Sequence, residues 1–177
     1  MATQIKTENI MRKIKLDKIT LNMGGGTEAE GVEKAVLLLQ KLSGAKPVKT
    51  IATKRIPTWK VRLGLPVGAK VTIRGKKASE LLKNTLHAID NEIPKRAFTK
   101  NGFTFGLKEY IEIPGVKYDP KIGILGFEVA VSLIRPGYRV SKRKIRQRPV
   151  GKRHEITAED SLKWAQENFN VKLKEED

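Results

Sequence analysis

Few side chains in this 177-residue sequence have the chemistry of a catalytic or metal site. The chain has no cysteine, and only His87 and His154 could provide an imidazole. His87 lies among polar neighbours with no second ligand at metal-binding spacing, and a zinc site is not expected without cysteine thiolates. We therefore predict no metal and no cofactor.

One glycine-rich turn matches a nucleotide-binding motif. Gly24, Gly26 and Ala29 fit the permissive form of the dinucleotide fingerprint, between a predicted strand and a predicted helix. However, Glu28 and Glu30 occupy the first helical turn, where a pyrophosphate would bind. No acidic residue follows about 20 residues later to hold a ribose. The sequence therefore favours a turn into a helix, and we predict that the protein is not an enzyme.

The distribution of charge points to a polyanionic partner. The chain has 36 Lys and Arg against 19 Asp and Glu, a formal net charge of +17. No acid occurs between Glu33 and Glu80, which enclose twelve Lys or Arg, or between Glu128 and Glu155, which enclose nine. A solvated surface normally mixes both signs to limit self-repulsion. Two long acid-free segments therefore indicate a surface that binds nucleic acid.

Nucleic acid is a better match for this charge than a membrane is. No apolar run approaches the roughly 18 residues that cross a bilayer, and residues 1–15 lack the apolar core of a signal peptide. We expect a cytoplasmic protein without a membrane partner. From Glu155 onward acids outnumber bases, so this end is expected to point away from the polyanion or toward a basic partner.

Hydrophobic periodicity predicts the elements that carry these charges. Strands are predicted at 14–23 (with a register shift at Asp17 and Lys18), 48–53, 67–74, 103–107, 110–113 and 127–134. Helices are predicted from a capping box at Thr27 and Glu30 to Ser43, over 78–89, and after Thr157 to Phe169. This order predicts one α+β domain over residues 1–177. Its sheet should be twisted and mainly antiparallel or mixed, with the helices packed on one face.

Three segments determine where the charges would act. Val67, Val71 and Ile73 alternate with polar and basic residues, so the other face of that strand is a candidate RNA platform. The strand at 127–134 has apolar residues at most positions and is predicted to be central and buried on much of both faces. Residues 54–65 show neither period and are predicted to form an exposed basic loop.

Several motifs resemble a known family. Leu21–Gly24, Gly44–Pro47, Gly68–Gly75 and Ile111–Pro120 resemble the L five family of large-subunit ribosomal proteins, and the likeness extends over almost the whole chain. Arg135–Val140, the basic segment 135–153 and the helix after it resemble the archaeal and eukaryotic branch. One position departs from the family: Ala45 replaces the Gln of many relatives and cannot make an amide contact.

The resemblance implies a structural protein of the large ribosomal subunit. It implies binding to 5S rRNA and adjacent large-subunit rRNA in the central protuberance, and contact with peptidyl-site tRNA through loop 54–65. It further implies contacts with other large-subunit proteins and a small-subunit head protein, and no homo-oligomer is expected. We assign 5S rRNA binding to Asn22, Lys46, Lys49, Lys70, Thr72 and Arg74, tRNA contact to Lys54, Arg55, Trp59, Lys60 and Arg62, and other rRNA binding to Arg139, Lys142, Arg143, Lys144, Arg146 and Arg148.

Alternatives remain open at this stage. Trp59 could stack on a base or ribose, or it could fold back and anchor its loop to the domain. Trp164 lies in a predicted helix and is expected in the core or at a partner contact. Without the resemblance, a basic protein bound to other nucleic acid is the second hypothesis. An RNA-processing enzyme that uses the Gly24 turn is the third.

Overall fold

The computed structural model describes residues 9–26 and 28–174. The strands are β1 (Lys15–Gly24), β2 (Val48–Ile51), β3 (Pro66–Ile73), β4 (Glu92–Pro94), β5 (Phe98–Thr99), β6 (Gly102–Leu107), β7 (Phe127–Ile134) and β8 (Lys172–Lys174). The α-helices are α1 (Ala29–Ser43), α2 (Lys76–His87), α3 (Arg139–Lys142) and α4 (Ala158–Phe169).

Six strands form one sheet, in the order β2-β3-β1-β7-β6-β5. Every neighbouring pair in this sheet is antiparallel. β4 and β8 form a separate, parallel pair that the sequence analysis did not predict. The predicted α+β class and mainly antiparallel sheet are confirmed.

One face of the sheet lies against the core. Leu21 of β1 pairs with Val71 of β3 and with Val129 of β7, and all three side chains are buried. Because side chains alternate along a strand, the residues between them project from the opposite face. Asn22 and Thr72 lie there and are exposed. We call this second side the open face.

Three helices cover the apolar face. α1 buries Leu38 and Leu39 against the sheet, α2 buries Leu82 and Leu86, and α4 buries Ala165 in the same hydrophobic cluster. The prediction that the helices pack on one face is therefore confirmed for the three long helices. The four-residue helix α3 differs, because its segment borders the open face.

Several predicted boundaries agree with the structure. The pairing of β1 with β7 shifts register between Leu16 and Lys18, where the interruption of apolar alternation predicted a shift. Gly44 ends α1 with a positive φ of 61°, a conformation that glycine adopts without the steric cost of a side chain. Thr157 caps α4 as predicted, and the helix ends at Phe169.

The strand predicted at 110–113 is wrong, because Tyr110–Glu112 form a 3-10 helix. The Tyr110 backbone N–H donates to the carbonyl of Leu125 at 3.1 Å, and the Tyr110 hydroxyl accepts a hydrogen bond from the Asp119 N–H at 2.9 Å. These contacts fold the segment back on its own loop. The apolar residues at 110–113 are therefore explained by burial in a turn and not by strand pairing.

Two other predictions need correction. β7 is central as predicted, but only one of its faces is fully buried; Glu128 on the other face is exposed. The predicted capping residue Thr27 lies outside the described residues, and α1 begins after Glu28, whose side chain makes no capping hydrogen bond.

The neighbours of β1 bear on the glycine-rich turn, because β1 pairs with antiparallel strands on both sides. The Gly24 turn therefore does not belong to the parallel βαβ unit of a dinucleotide-binding fold.

Candidate nucleic-acid interface

The open face carries rows of polar residues across the sheet. Asn22 pairs with Lys70 on one side and with Glu128 on the other. In the next row, Thr20 pairs with Thr72 and with Ala130. Directly opposed residues on antiparallel strands have Cβ atoms about 4.5–5.5 Å apart. Lys70, Asn22 and Thr72 therefore form one compact patch, which the sequence assigned to 5S rRNA by resemblance.

The cations in this part of the sheet are available to bind an anion. Lys46, Lys49 and Arg74 are exposed, like Lys70. Lys49 pairs with the buried Ala69, so it projects from the opposite face to Lys70, and the predicted common surface does not include it. Within the described residues, none of these four forms an ion pair with a carboxylate. Exposed cations without carboxylate partners can neutralise phosphates and release condensed counterions. Glu128, next to Asn22, places a negative charge at the other edge of the patch.

Loop 54–65 is exposed except at positions such as Val61, which is buried, and hydrogen bonds within its own backbone hold its ends together. Ile56 and Val61 form an antiparallel bridge, and Pro57–Trp59 form a 3-10 helix at the tip. Trp59 is 68% exposed, so it does not anchor the loop in the core. The cations Lys54, Arg55, Lys60 and Arg62 are also exposed. The loop therefore presents one aromatic ring and four positive charges to solvent.

The basic segment 135–153 folds beside the open face at the end opposite β2. Lys142 forms an ion pair with Asp17 of β1, with 3.1 Å between Nζ and Oδ2. Within the segment, the Arg143 guanidinium Nε donates to the Arg146 carbonyl at 2.9 Å. A cleft of about 630 Å³ lies between the segment and the sheet. β3 of the first acid-free segment and the basic segment of the second thus border the same face, whereas the other cations of the first segment include Lys34 and Lys41 on α1 and Lys76 and Lys77 on α2.

The root of the basic segment is held by four side chains, Arg135, Tyr138, His154 and Asp160, which we call the clamp. The Arg135 guanidinium donates to the Glu155 carbonyl at 3.0 Å and to Asp160 Oδ2 at 3.2 Å. The Tyr138 hydroxyl donates to the His154 carbonyl at 3.1 Å and accepts from the Ile156 N–H at 3.0 Å. His154 Nε2 lies 2.8 Å from the Pro136 carbonyl oxygen.

The clamp shifts the pKa of two of its members, Tyr138 and Asp160. Burial raises the pKa of the Tyr138 hydroxyl and keeps it protonated. Burial also opposes ionisation of Asp160, but hydrogen bonds from Thr157 and the adjacent Arg135 charge outweigh it and lower the Asp160 pKa. Asp160 therefore stays ionised at neutral pH, where it pairs with Arg135 and caps α4.

The described part of the chain contains no cluster of three or more His, Asp or Glu that could hold a metal ion. Within the same residues, no helix has the length and apolar character to cross a membrane.

Comparisons with known proteins identify the family. The family model described as "Ribosomal protein L5" matches residues 9–62, and a second model, which describes the C-terminus of the same ribosomal family, matches residues 66–164. The chain belongs to the ribosomal protein L5 family. It is 50% identical over 167 residues to "Large ribosomal subunit protein uL5" of Nanoarchaeum equitans, covering 94% of this chain and 99% of that protein.

Two further relatives agree with this membership. The proteins of the same name from Sulfurisphaera tokodaii and Sulfolobus acidocaldarius are 44% and 43% identical, and each alignment covers 97% of this chain. The alignments cover 98% of the Sulfurisphaera tokodaii protein and 97% of the Sulfolobus acidocaldarius protein. The resemblance to the archaeal branch is confirmed. A ribosomal protein of the L5 family is structural and not catalytic, so the enzyme hypothesis is set aside.

The structure adds residues that the sequence analysis did not assign. Thr20, Lys18, Ser132 and Thr104 lie on the open face between the patch of Lys70, Asn22 and Thr72 and the basic segment. Their pairing partners are distant in sequence, so no local motif could have identified them. The alternation of side chains along β1 could have identified two of them, because Lys18 and Thr20 are separated from Asn22 by an even number of residues and so project from the same face.

Proposed function

We propose that this L5-family chain is a structural constituent of the large ribosomal subunit and binds 5S rRNA with the open face of its sheet. Its relatives carry the name "Large ribosomal subunit protein uL5". The observation that carries the proposal is the patch of Lys70, Asn22 and Thr72, exposed on a sheet whose other face is buried. Short polar groups of this kind suit 2′-hydroxyls and base edges in the shallow minor groove of RNA helices.

The proposal includes two further RNA contacts. We infer that loop 54–65 contacts peptidyl-site tRNA, because its exposed Trp59 and four cations offer stacking and phosphate contacts together. We infer that the basic segment contacts adjacent rRNA in the central protuberance through Arg139, Lys142, Arg143, Lys144, Arg146 and Arg148. In this assembly the chain would also meet other large-subunit proteins and a small-subunit head protein.

The 5S assignment can be tested with matched lysines on opposite faces. Lys70→Ala removes a cation from the patch, whereas Lys83→Ala removes an equally exposed cation from α2 on the helical side. In filter binding to 5S rRNA, we expect Lys70→Ala and Thr72→Ala each to weaken binding several-fold, and Lys83→Ala to have little effect. Wild-type protein should prefer 5S rRNA to duplex DNA of equal length as salt is raised.

The same assay tests whether the patch binds 5S rRNA and loop 54–65 does not. Replacing Arg55, Lys60 and Arg62 together with Ala should leave 5S affinity nearly intact and impair tRNA-dependent steps on assembled ribosomes. Equal losses of 5S affinity in the loop variant and in Thr72→Ala would contradict the assignment. Equal affinities of wild-type protein for 5S rRNA and DNA, falling together with salt, would favour a general nucleic-acid binder.

A further inference from the structure

We propose that the cleft between the basic segment and the open face binds one unpaired strand of RNA. This rests on the proposed function, in which the basic segment contacts rRNA. The cleft has a volume of about 630 Å³ and is bounded by the sheet on one side and the segment on the other. A space of this size is typical of pockets that enclose small ligands. It is too small to admit an RNA helix, but it can take a few nucleotides of a single strand.

The floor of the cleft carries hydroxyl groups without protein partners. Ser132 of β7 pairs with Lys18 of β1, and Thr104 of β6 pairs with Ala130 in the adjoining row. Within the described residues, neither the Ser132 nor the Thr104 hydroxyl makes a hydrogen bond. A free hydroxyl can both donate to and accept from a ribose 2′-hydroxyl. The floor therefore favours RNA over DNA.

The charges around the cleft favour a phosphate backbone. Lys18 and Lys100 line it and form no ion pair within the described residues. Two carboxylates also line it, but Asp17 forms an ion pair with Lys142, with 3.1 Å between Nζ and Oδ2, and this pair adds no net charge. Glu155, the other carboxylate, lies beside the clamp at one end.

The cleft offers no ring on which a base can stack. The aromatic residues among its lining, Phe103 and Tyr138, are 0% and 7% exposed. Recognition must therefore act through the sugar and the phosphate, and it should tolerate any base sequence. This distinguishes the cleft from stacking platforms for single strands, which use exposed aromatic side chains.

The clamp keeps the cleft open before RNA arrives. Arg135 and Tyr138 fix the start of the basic segment, and their hydrogen bonds to the backbone at His154, Glu155 and Ile156 fix its end. Because the basic segment is held at both ends, it loses little conformational freedom when a ligand binds, and the entropic cost of binding is lower. Tyr138 and Arg135 are therefore positioning residues for this site.

The ligand class is tested with short oligonucleotides of one base. Fluorescence anisotropy would compare oligouridylate, oligodeoxyuridylate of the same length and a double-stranded RNA. We expect the unpaired ribonucleotide to bind about tenfold more tightly than the deoxyribonucleotide, in line with two additional hydrogen bonds. The double variant Ser132→Ala, Thr104→Ala should abolish this preference.

A control variant removes a hydroxyl elsewhere. Ser79→Ala changes an exposed serine of α2 outside the cleft and should keep the tenfold preference. Equal affinity of the wild-type protein for the two oligonucleotides would overturn the proposal. An undiminished preference in the Ser132→Ala, Thr104→Ala variant would overturn it as well.

The positioning role is tested with two buried tyrosines. Tyr138→Phe removes the hydroxyl from the clamp, whereas Tyr110→Phe removes a comparable hydroxyl–amide bond at Asp119 in another loop. Tyr138→Phe should increase trypsin cleavage within the basic segment and weaken oligouridylate binding several-fold. Tyr110→Phe should do neither. Matching effects of the two variants would show a general loss of stability and would overturn the positioning role.

Binding to 5S rRNA separates this proposal from the proposed function. Wild-type protein that binds 5S rRNA but shows no preference for oligouridylate over oligodeoxyuridylate would overturn the cleft proposal alone. Protein that binds neither 5S rRNA nor oligouridylate would overturn both.

Discussion

At the scale of single residues, two glycines on the open face differ in how much space surrounds them. A Cβ added at Gly68 of β3 would overlap the Met23 carbonyl oxygen and lie 3.3 Å from the Gly24 Cα. Both contacts are with backbone, which cannot move aside as a flexible side chain can. A Cβ added at Gly106 of β6 would meet nothing within 4 Å. Close strand packing therefore requires glycine at Gly68 but not at Gly106.

We predict that Gly68→Ala lowers the free energy of unfolding by roughly 1–3 kcal/mol, the usual cost of overpacking a well-packed site. Gly106→Ala should change it by less than about 0.5 kcal/mol, as expected for a surface substitution. Urea unfolding followed by circular dichroism would measure both. Similar midpoints for the two variants would show that β1 and β3 separate easily at Gly68.

At the scale of elements, the start of α4 and the root of the basic segment share one carboxylate. Asp160 accepts a hydrogen bond from the Thr157 N–H at 3.1 Å, which completes a capping box, and another from Arg135 at 3.2 Å. The Asp160 pKa is lowered from its ordinary value of 3.8. Because the folded pKa is the lower one, ionised Asp160 stabilises the fold above its ordinary pKa. That stabilisation is lost as the pH falls through the folded value.

We predict that Asp160→Asn lowers the free energy of unfolding by about 1 kcal/mol at pH 7, a capping-scale effect reduced by its partial exposure to solvent. The difference from wild type should shrink as the pH falls through the folded pKa, because wild-type Asp160 then becomes protonated as well. Urea unfolding at pH 7 and at an acidic pH below the folded pKa would measure it. Asp90→Asn, in the exposed turn after α2, is a control. An equal deficit at both pH values would exclude the charge of Asp160 as the cause.

At the scale of the whole molecule, the excess of positive charge has few internal partners. The formal net charge is +17. Among the predicted RNA-binding cations, Lys142 alone pairs with a carboxylate within the described residues. Without RNA, these like charges repel one another in the folded state. Bound RNA would remove that repulsion.

We predict that sodium chloride stabilises the RNA-free protein, by on the order of 1 kcal/mol between about 0.05 and 0.5 M, because the Debye length over which charges repel falls from roughly 14 Å to roughly 4 Å. Thermal unfolding over this range would measure the effect. Replacing Arg143, Lys144, Arg146 and Arg148 with Gln should make the unfolding temperature less dependent on salt. Salt that destabilises the wild-type chain would show that attractive ion pairs dominate instead.

Local patterns in the sequence determined the class of the protein and most of its elements. Alternation predicted β1 and β3, helical periodicity predicted α1, α2 and α4, and even the register shift at Lys18 follows from interrupted alternation. These predictions succeed because neighbouring residues in one element share a face. The motifs that resemble the family are also local, because each is a short continuous stretch of the sequence.

Only the tertiary structure decided what the charged residues form together. Strand order brings Lys70, Asn22 and Thr72 side by side, although Asn22 and Lys70 are 48 residues apart in the sequence. The clamp joins Arg135 to Asp160, and the cleft joins β6 and β7 to the basic segment, through contacts that no local period encodes. Tyr110 likewise folds into a turn because Leu125 and Asp119 meet it there. Pairing between distant segments depends on the packing of the whole chain, and a local pattern contains no information about that packing.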